Sequence, residues 1–133
     1  LLVSSAASDV YKRQGNTGPF VQYAYARIKS ILDKNSNTTY EFDDLKLAQK
    51  EKELIILLCE FKNILNSSVK TLNPSLIANH IYEVVKLYNS YYQTHTILGN
   101  KNINSFRVFL SEKVAIQIEK SMGLLGISVP NRM

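Results

Sequence analysis

Tyrosine is the residue type here whose chemistry stands out: the 133 residues hold eight of them and no tryptophan. Two clusters, "YAY" (Tyr23, Tyr25) and "YNSYY" (Tyr88, Tyr91, Tyr92), are interleaved with cations such as Arg27, Lys29 and Arg107. A phenol ring offers a flat face for stacking an unpaired base and a hydroxyl for the base's edge. Set among Lys and Arg, such rings make a surface for single-stranded RNA. Packing at a half-buried helix face employs the same rings, so the tyrosines alone leave both readings open. The net charge of +5 and pI near 9.3 suit an acidic partner without requiring nucleic acid.

No catalytic constellation competes with this. His80 and His95 stand fifteen apart, outside any HExxH spacing, and read as polar residues near a helix surface. "GNTG" at Gly15–Gly18 is not followed by GK[ST], so it is no phosphate loop. Asp43 and Asp44 are neighbours in a loop or at a helix start rather than an acid/base pair. The lone Cys59 rules out an intramolecular disulfide and a cysteine zinc site, and in "LIILLCEF" it reads as a buried, inert thiol. No catalytic residue, metal site or resident cofactor is expected. The longest apolar run, Leu54–Cys59, is too short to cross a bilayer. A cytoplasmic location is expected.

The elements that must position these side chains are helices. Pro19 after "NTG" suits a first helical position, followed by Phe20, Tyr23, Ala24, Ile28, Ile31 and Leu32 at spacings of three and four. Asp33–Thr39 is polar and reads as a loop. A second helix spans about Leu45–Val69, broken near Ala48, with Leu54, Leu57, Leu58, Phe61, Ile64 and Leu65 as its stripe and Lys50, Glu51, Lys52 and Glu53 on the solvated face. Asn73 caps a third helix at Pro74, carrying Ile77, Ile81, Val84, Val85, Tyr88 and Tyr92 and ending by Gly99. A fourth starts near Asn104 or Ser105, with Phe106, Leu110, Val114, Ile118 and Met122 at four-residue steps. Gly123 and Gly126 end it, and Pro130 makes the tail extended. This is an all-α bundle of four to five helices.

"GNTGPFVQYAYARIKSIL" (Gly15–Leu32) resembles the block opening the C-terminal, DALR-type anticodon-binding domain of bacterial arginyl-tRNA synthetases, with its pattern G-x-T-G-P-[YF]-x-Q-Y-x-x-[AS]-R. "SMGLLGISVPNRM" (Ser121–Met133) is similar to that family's terminus, and the two blocks between them match its helices. Many members carry His at Tyr25 and Phe-Tyr at Tyr91–Tyr92, changes that keep an aromatic ring. The resemblance covers Gly15–Met133. It implies a class I synthetase piece that grips the anticodon stem-loop of arginine tRNA. The parent enzyme ligates arginine to that tRNA using ATP with Mg. HIGH- and KMSK-type motifs are not present, so this piece is expected to be inactive alone, its catalytic domain being the missing part of a monomeric parent. Carried over by motif, Tyr23 and Tyr92 are the base-contacting rings, Met133 lies beside the loop, and Arg27 meets a phosphate or pairs with a carboxylate. Gln22 and Arg107 orient helices. The alternatives are the related bundle of another class I synthetase, such as the cysteinyl enzyme, and a helical interaction module with no RNA role.

The resemblance begins just after "SSAASDVYKRQ" (Ser4–Gln14), which reads as the in-frame translation of a sequencing-library adapter. Residues 1–14 are accordingly expected to be an unstructured leader and 15–133 the anticodon-binding bundle.

Overall fold

The computed structural model describes the backbone of residues 3–35, 39–42, 44–99 and 101–133, and the side chains of these except 3–17 and 101–104. It is all-α. Among the described residues five helices follow in order: α1 Val3–Lys34, α2 Gln49–Cys59, α3 Phe61–Thr71, α4 Ser75–Thr94 and α5 Lys101–Leu124. Among the described residues, helix α4 packs against all four others, while α1 contacts α4 and α5. The α4–α5 pair is therefore the middle of the bundle, with α1 on one flank and α2 and α3 on the other.

The apolar stripes meet in that middle. Ile28, Leu54, Ile81, Val84, Val85, Val114 and Ile118 are fully buried, joined by Val21, Val108, Tyr88 and Tyr91. Each buried aliphatic chain contributes about 1.5–3 kcal/mol by leaving water. Tyr88 donates to Ser111 Oγ at 2.9 Å, and Ser111 in turn donates to the Arg107 carbonyl at 2.8 Å, so the buried phenol is satisfied. Across the α1–α2 connection, Tyr40 and Phe42 pack on Phe109 at 5.4 and 5.1 Å between ring centroids, pinning that segment to α5.

Helix ends follow local chemistry. Asn73 Oδ1 accepts from the Ser75 N–H at 3.1 Å, as a cap ahead of Pro74 should. Gly126 closes α5 at φ 75°, with Ile127 N–H bonded to the Met122 carbonyl and Gly126 N–H to that of Gly123. Leu72 closes α3 with the same bond pattern at φ 50°, an unusual conformation for a residue with a branched side chain.

Three expectations change. Helix α1 begins at Val3 and carries Pro19 inside it, so the backbone of residues 3–14 is helical rather than an unstructured leader. Ser4–Gln14 holds no Gly or Pro and includes Ala6, Ala7, Lys12, Arg13 and Gln14, all compatible with a helix. The packing of Val10 and Tyr11 lies outside the described side chains. The second expected helix is two: Glu60 turns the chain between α2 and α3 while staying right-handed, its N–H still bonded to the Ile56 carbonyl at 3.1 Å. Helix α4 stops at Thr94 rather than Gly99, because His95 adopts an extended conformation.

The two phenols with no exposed surface, Tyr88 and Tyr91, predict alkaline sensitivity. Burial pushes Tyr88 up to about 12, only partly offset by its Ser111 bond. Tyr91 is also raised, by burial and then by the Glu51 carboxylate beside it. Both hold their protons more tightly folded than unfolded, where a phenol ionises near pH 10. Their stabilisation is thus whole below about pH 10 and is lost as pH climbs through the folded values. Thermal melts from pH 9 to 12 should show the midpoint of the parent falling more steeply than that of Tyr88→Phe. Parallel curves would show that Tyr88 does not drive the loss.

Candidate nucleic-acid interface

Helix α1 has two faces. Val21, Ala24, Ile28 and Ile31 point inward, while Tyr23, Arg27, Ser30 and Lys34 recur at the i, i+4, i+7, i+11 spacing of one outward stripe. Tyr23 is 58% exposed, far more than a ring of its size needs for packing. The C-terminal tail lies beside this stripe. Gly126 turns the chain, Gln22 Nε2 donates to the Ser128 carbonyl at 2.8 Å, and Val129 packs on the core. Tyr23, Ala26, Arg27, Ser30, Asp33 and Lys34 of α1 thereby line one groove of about 650 Å³ together with Asn131, Arg132 and Met133 of the tail.

Helix α4 adjoins this groove through Arg27. The Arg27 guanidinium sits 5.0 Å from the Tyr92 ring centroid and donates through Nη1 to Asn89 Oδ1 at 3.0 Å. Asn89 and Tyr92 are three apart on α4 and so share a face. The ring and the amide together hold Arg27 in place while leaving it exposed. Among the described residues Arg27 thus meets a ring and an amide rather than a carboxylate. Exposed, pre-positioned guanidinium is what phosphate contact requires. The structure places Tyr23, Arg27, Tyr92 and Met133 on one face. Asn89, Lys34 and Arg132 belong with them and were not singled out from sequence. Lys34 was findable from the α1 spacing, and Asn89 from its offset to Tyr92.

The remaining tyrosines sort differently. Tyr25, Tyr88 and Tyr91 are buried. Tyr25 donates to Glu119 Oε2 at 3.3 Å across the α1–α5 contact. Tyr91 donates to Glu51 Oε1 at 3.0 Å, and the same oxygen takes Arg107 Nε at 3.0 Å. The other Glu51 oxygen accepts from the Ala48 N–H at 2.7 Å, closing the start of α2. Arg107 also donates to the Thr96 carbonyl at 2.9 Å. One carboxylate thus ties α2, α4, α5 and the α4–α5 turn, and holds the helix carrying Tyr92.

Three single residues depart from expectation. Glu51 is buried rather than solvated, because it lies three before Leu54 on the covered side of α2. His80 is buried, not near the surface: its Nε2 donates to the Leu57 carbonyl at 2.8 Å, linking α4 to α2. Cys59 is exposed rather than buried, since five residues past Leu54 is about 140° around the helix. Asp43 lies outside the described residues. Asp44 is in the left-handed region at φ 44°, which suits a turn. Among the described residues no group of three or more His, Cys, Asp or Glu is placed to hold a metal, and no helix is long and apolar enough to cross a membrane.

Residues 21–133 match the DALR anticodon binding domain family. The arginine–tRNA ligase of Flavobacterium psychrophilum is 49% identical over 121 residues, covering 90% of this chain and 20% of the relative. That of Phocaeicola vulgatus is 43% identical over 126 residues, covering 90% and 21%. The Thermus thermophilus arginyl-tRNA synthetase superposes with a TM-score of 0.79 at 24% identity, over 87% of this chain and 21% of that one. This last likeness speaks for the fold alone. The chain spans about a fifth of the length of the curated relatives it matches.

Proposed function

Because the chain belongs to the DALR anticodon binding domain family, we propose that it is the anticodon-binding part of an arginine–tRNA ligase. It holds the anticodon stem-loop of an arginine tRNA on the face formed by α1, α4 and the C-terminal tail. The ligation of arginine with ATP and Mg belongs to the remainder of such an enzyme. The observation that carries this reading is the Arg27–Tyr92 stack at 5.0 Å beside the groove of Tyr23 and Met133. An anticodon loop presents bases free of pairing, which aromatic faces accept and edges identify. Tyr23 and Tyr92 supply the faces, Arg27 a phosphate contact, and Met133 a backbone acceptor at the groove's end. The relatives named as arginine–tRNA ligases favour this over the cysteinyl-type bundle, and the exposed ring-and-cation face favours it over a module with no RNA role.

Binding of a synthetic anticodon stem-loop tests it. Tyr23→Ala and Tyr92→Ala should each cost about 1–3 kcal/mol, the worth of one base–aromatic stack. Arg27→Ala should weaken all loops alike and lower the salt slope by about one. Lys113→Ala is the control, since its ammonium sits over Phe109 in a groove between α5 and the α2–α3 pair. Parent-like affinity for both tyrosine variants would reject the assignment.

A further inference from the structure

A second cavity lies beside Tyr92, the ring on which Arg27 stacks. Ile31 of α1, Tyr92 and Gln93 of α4 and the turn through Leu98 enclose about 410 Å³, ample for one nucleobase. Its apolar surface comes from Ile31 and Ile97, both nearly buried, with Leu98 as an exposed lip. Its polar groups divide into committed and free. Thr94 Oγ1 already serves the Ser90 and Tyr91 carbonyls, Lys50 and His95. The Thr96 carbonyl takes Arg107. The His95 ring is fixed by its stack on Tyr91 at 4.8 Å and by its Nδ1 contacts with Thr94 and Tyr91. Among the described residues that line it, His95 Nε2, the exposed Gln93 amide and the Tyr92 and Thr96 hydroxyls remain without a hydrogen-bond partner. A concavity that sets a few apolar side chains among free polar groups is how a specific small-ring ligand is held.

We propose that this cavity is a second nucleobase subsite. It rests on the RNA-binding reading above and adds to it a base position with its own edge readers. Arg27 lines the first groove and Tyr92, stacked on it, lines the second, so two neighbouring nucleotides of one strand splay to either side of the pair, the first toward Tyr23 and Met133, the second against Ile31 and Ile97. Gln93 presents a donor and an acceptor side by side, matching the adjacent donor and acceptor on a base's pairing edge. His95 Nε2 reads a second atom of the same base.

The test uses the full 133-residue chain and a set of arginine-tRNA anticodon stem-loops, each with one loop nucleotide made abasic, read by fluorescence anisotropy at fixed salt. Gln93→Ala should weaken the intact loop by about tenfold, the factor one good base-edge contact carries. His95→Phe, which keeps the ring on Tyr91, should weaken it as well. Both losses should vanish on the same abasic loop, and that position should neighbour the one that cancels Tyr23→Ala. If both variants bind every loop as the parent does while Tyr23→Ala still weakens binding, the subsite is wrong and the interface stands. A Gln93→Ala loss that is equal on all abasic loops also overturns the subsite. A parent that binds no stem-loop removes the interface and the subsite together.

Discussion

Glu51→Ala is expected to lower folding stability by about 3–5 kcal/mol, the cost of removing one partner from a buried ion pair. Glu51 is 3% exposed and accepts three bonds, from Arg107, Tyr91 and the Ala48 N–H. Truncation leaves a guanidinium, a buried phenol and a helix-start amide short of an acceptor at once. Arg107 retains the Thr96 carbonyl and some solvent access, which places the effect toward the lower end. Glu51→Gln keeps an acceptor oxygen and should cost less. Glu53→Ala, on the exposed side of the same helix, should stay within about 0.5 kcal/mol of the parent. Urea denaturation compares the three. Equal midpoints for the Glu51→Ala and Glu53→Ala variants would show that the carboxylate does not organise the bundle.

Ile28→Ala should cost about 2–5 kcal/mol, with Ile28→Val costing about 0.5–1.5. Ile28 has no exposed surface and lies next to Arg27 in the chain, on the face that seats α1 against α4 and α5. Its loss opens a cavity under the helix that carries Tyr23 and Arg27. Well below its melting temperature the Ile28→Ala variant should still bind a stem-loop, whereas Arg27→Ala should melt near the parent and bind poorly. That double dissociation separates the scaffold from the surface. Poor binding by a fully folded Ile28→Ala protein would show instead that the face depends on core packing to a fraction of an ångström.

How far the site was legible depended on whether its signal was local. Tyr23 and Arg27 are four apart on one helix, so their common face is written in the spacing. Their meeting with Tyr92 is not: α1 and α4 are joined through two further helices, and nothing in the intervening sequence sets their rotation. The tyrosine clusters show the same limit. Tyr91 and Tyr92 are adjacent and chemically identical, yet one is buried on Glu51 and the other 38% exposed under Arg27. A 100° step around α4 separates them, and only the positions of the neighbouring helices say which side is covered.

The sequence by itself determined the helical class, the apolar stripes, the caps at Asn73 and Gly126 and the family, because each rests on residues within a few turns of one another or on contiguous motifs. Tertiary structure alone decided the burial of Glu51 and His80 and the exposure of Cys59. The physical reason is that a residue's solvation is set by whichever helix lies across from it, often fifty residues away. Arg107 and Glu51, 56 positions apart, find each other only once α5 crosses α2.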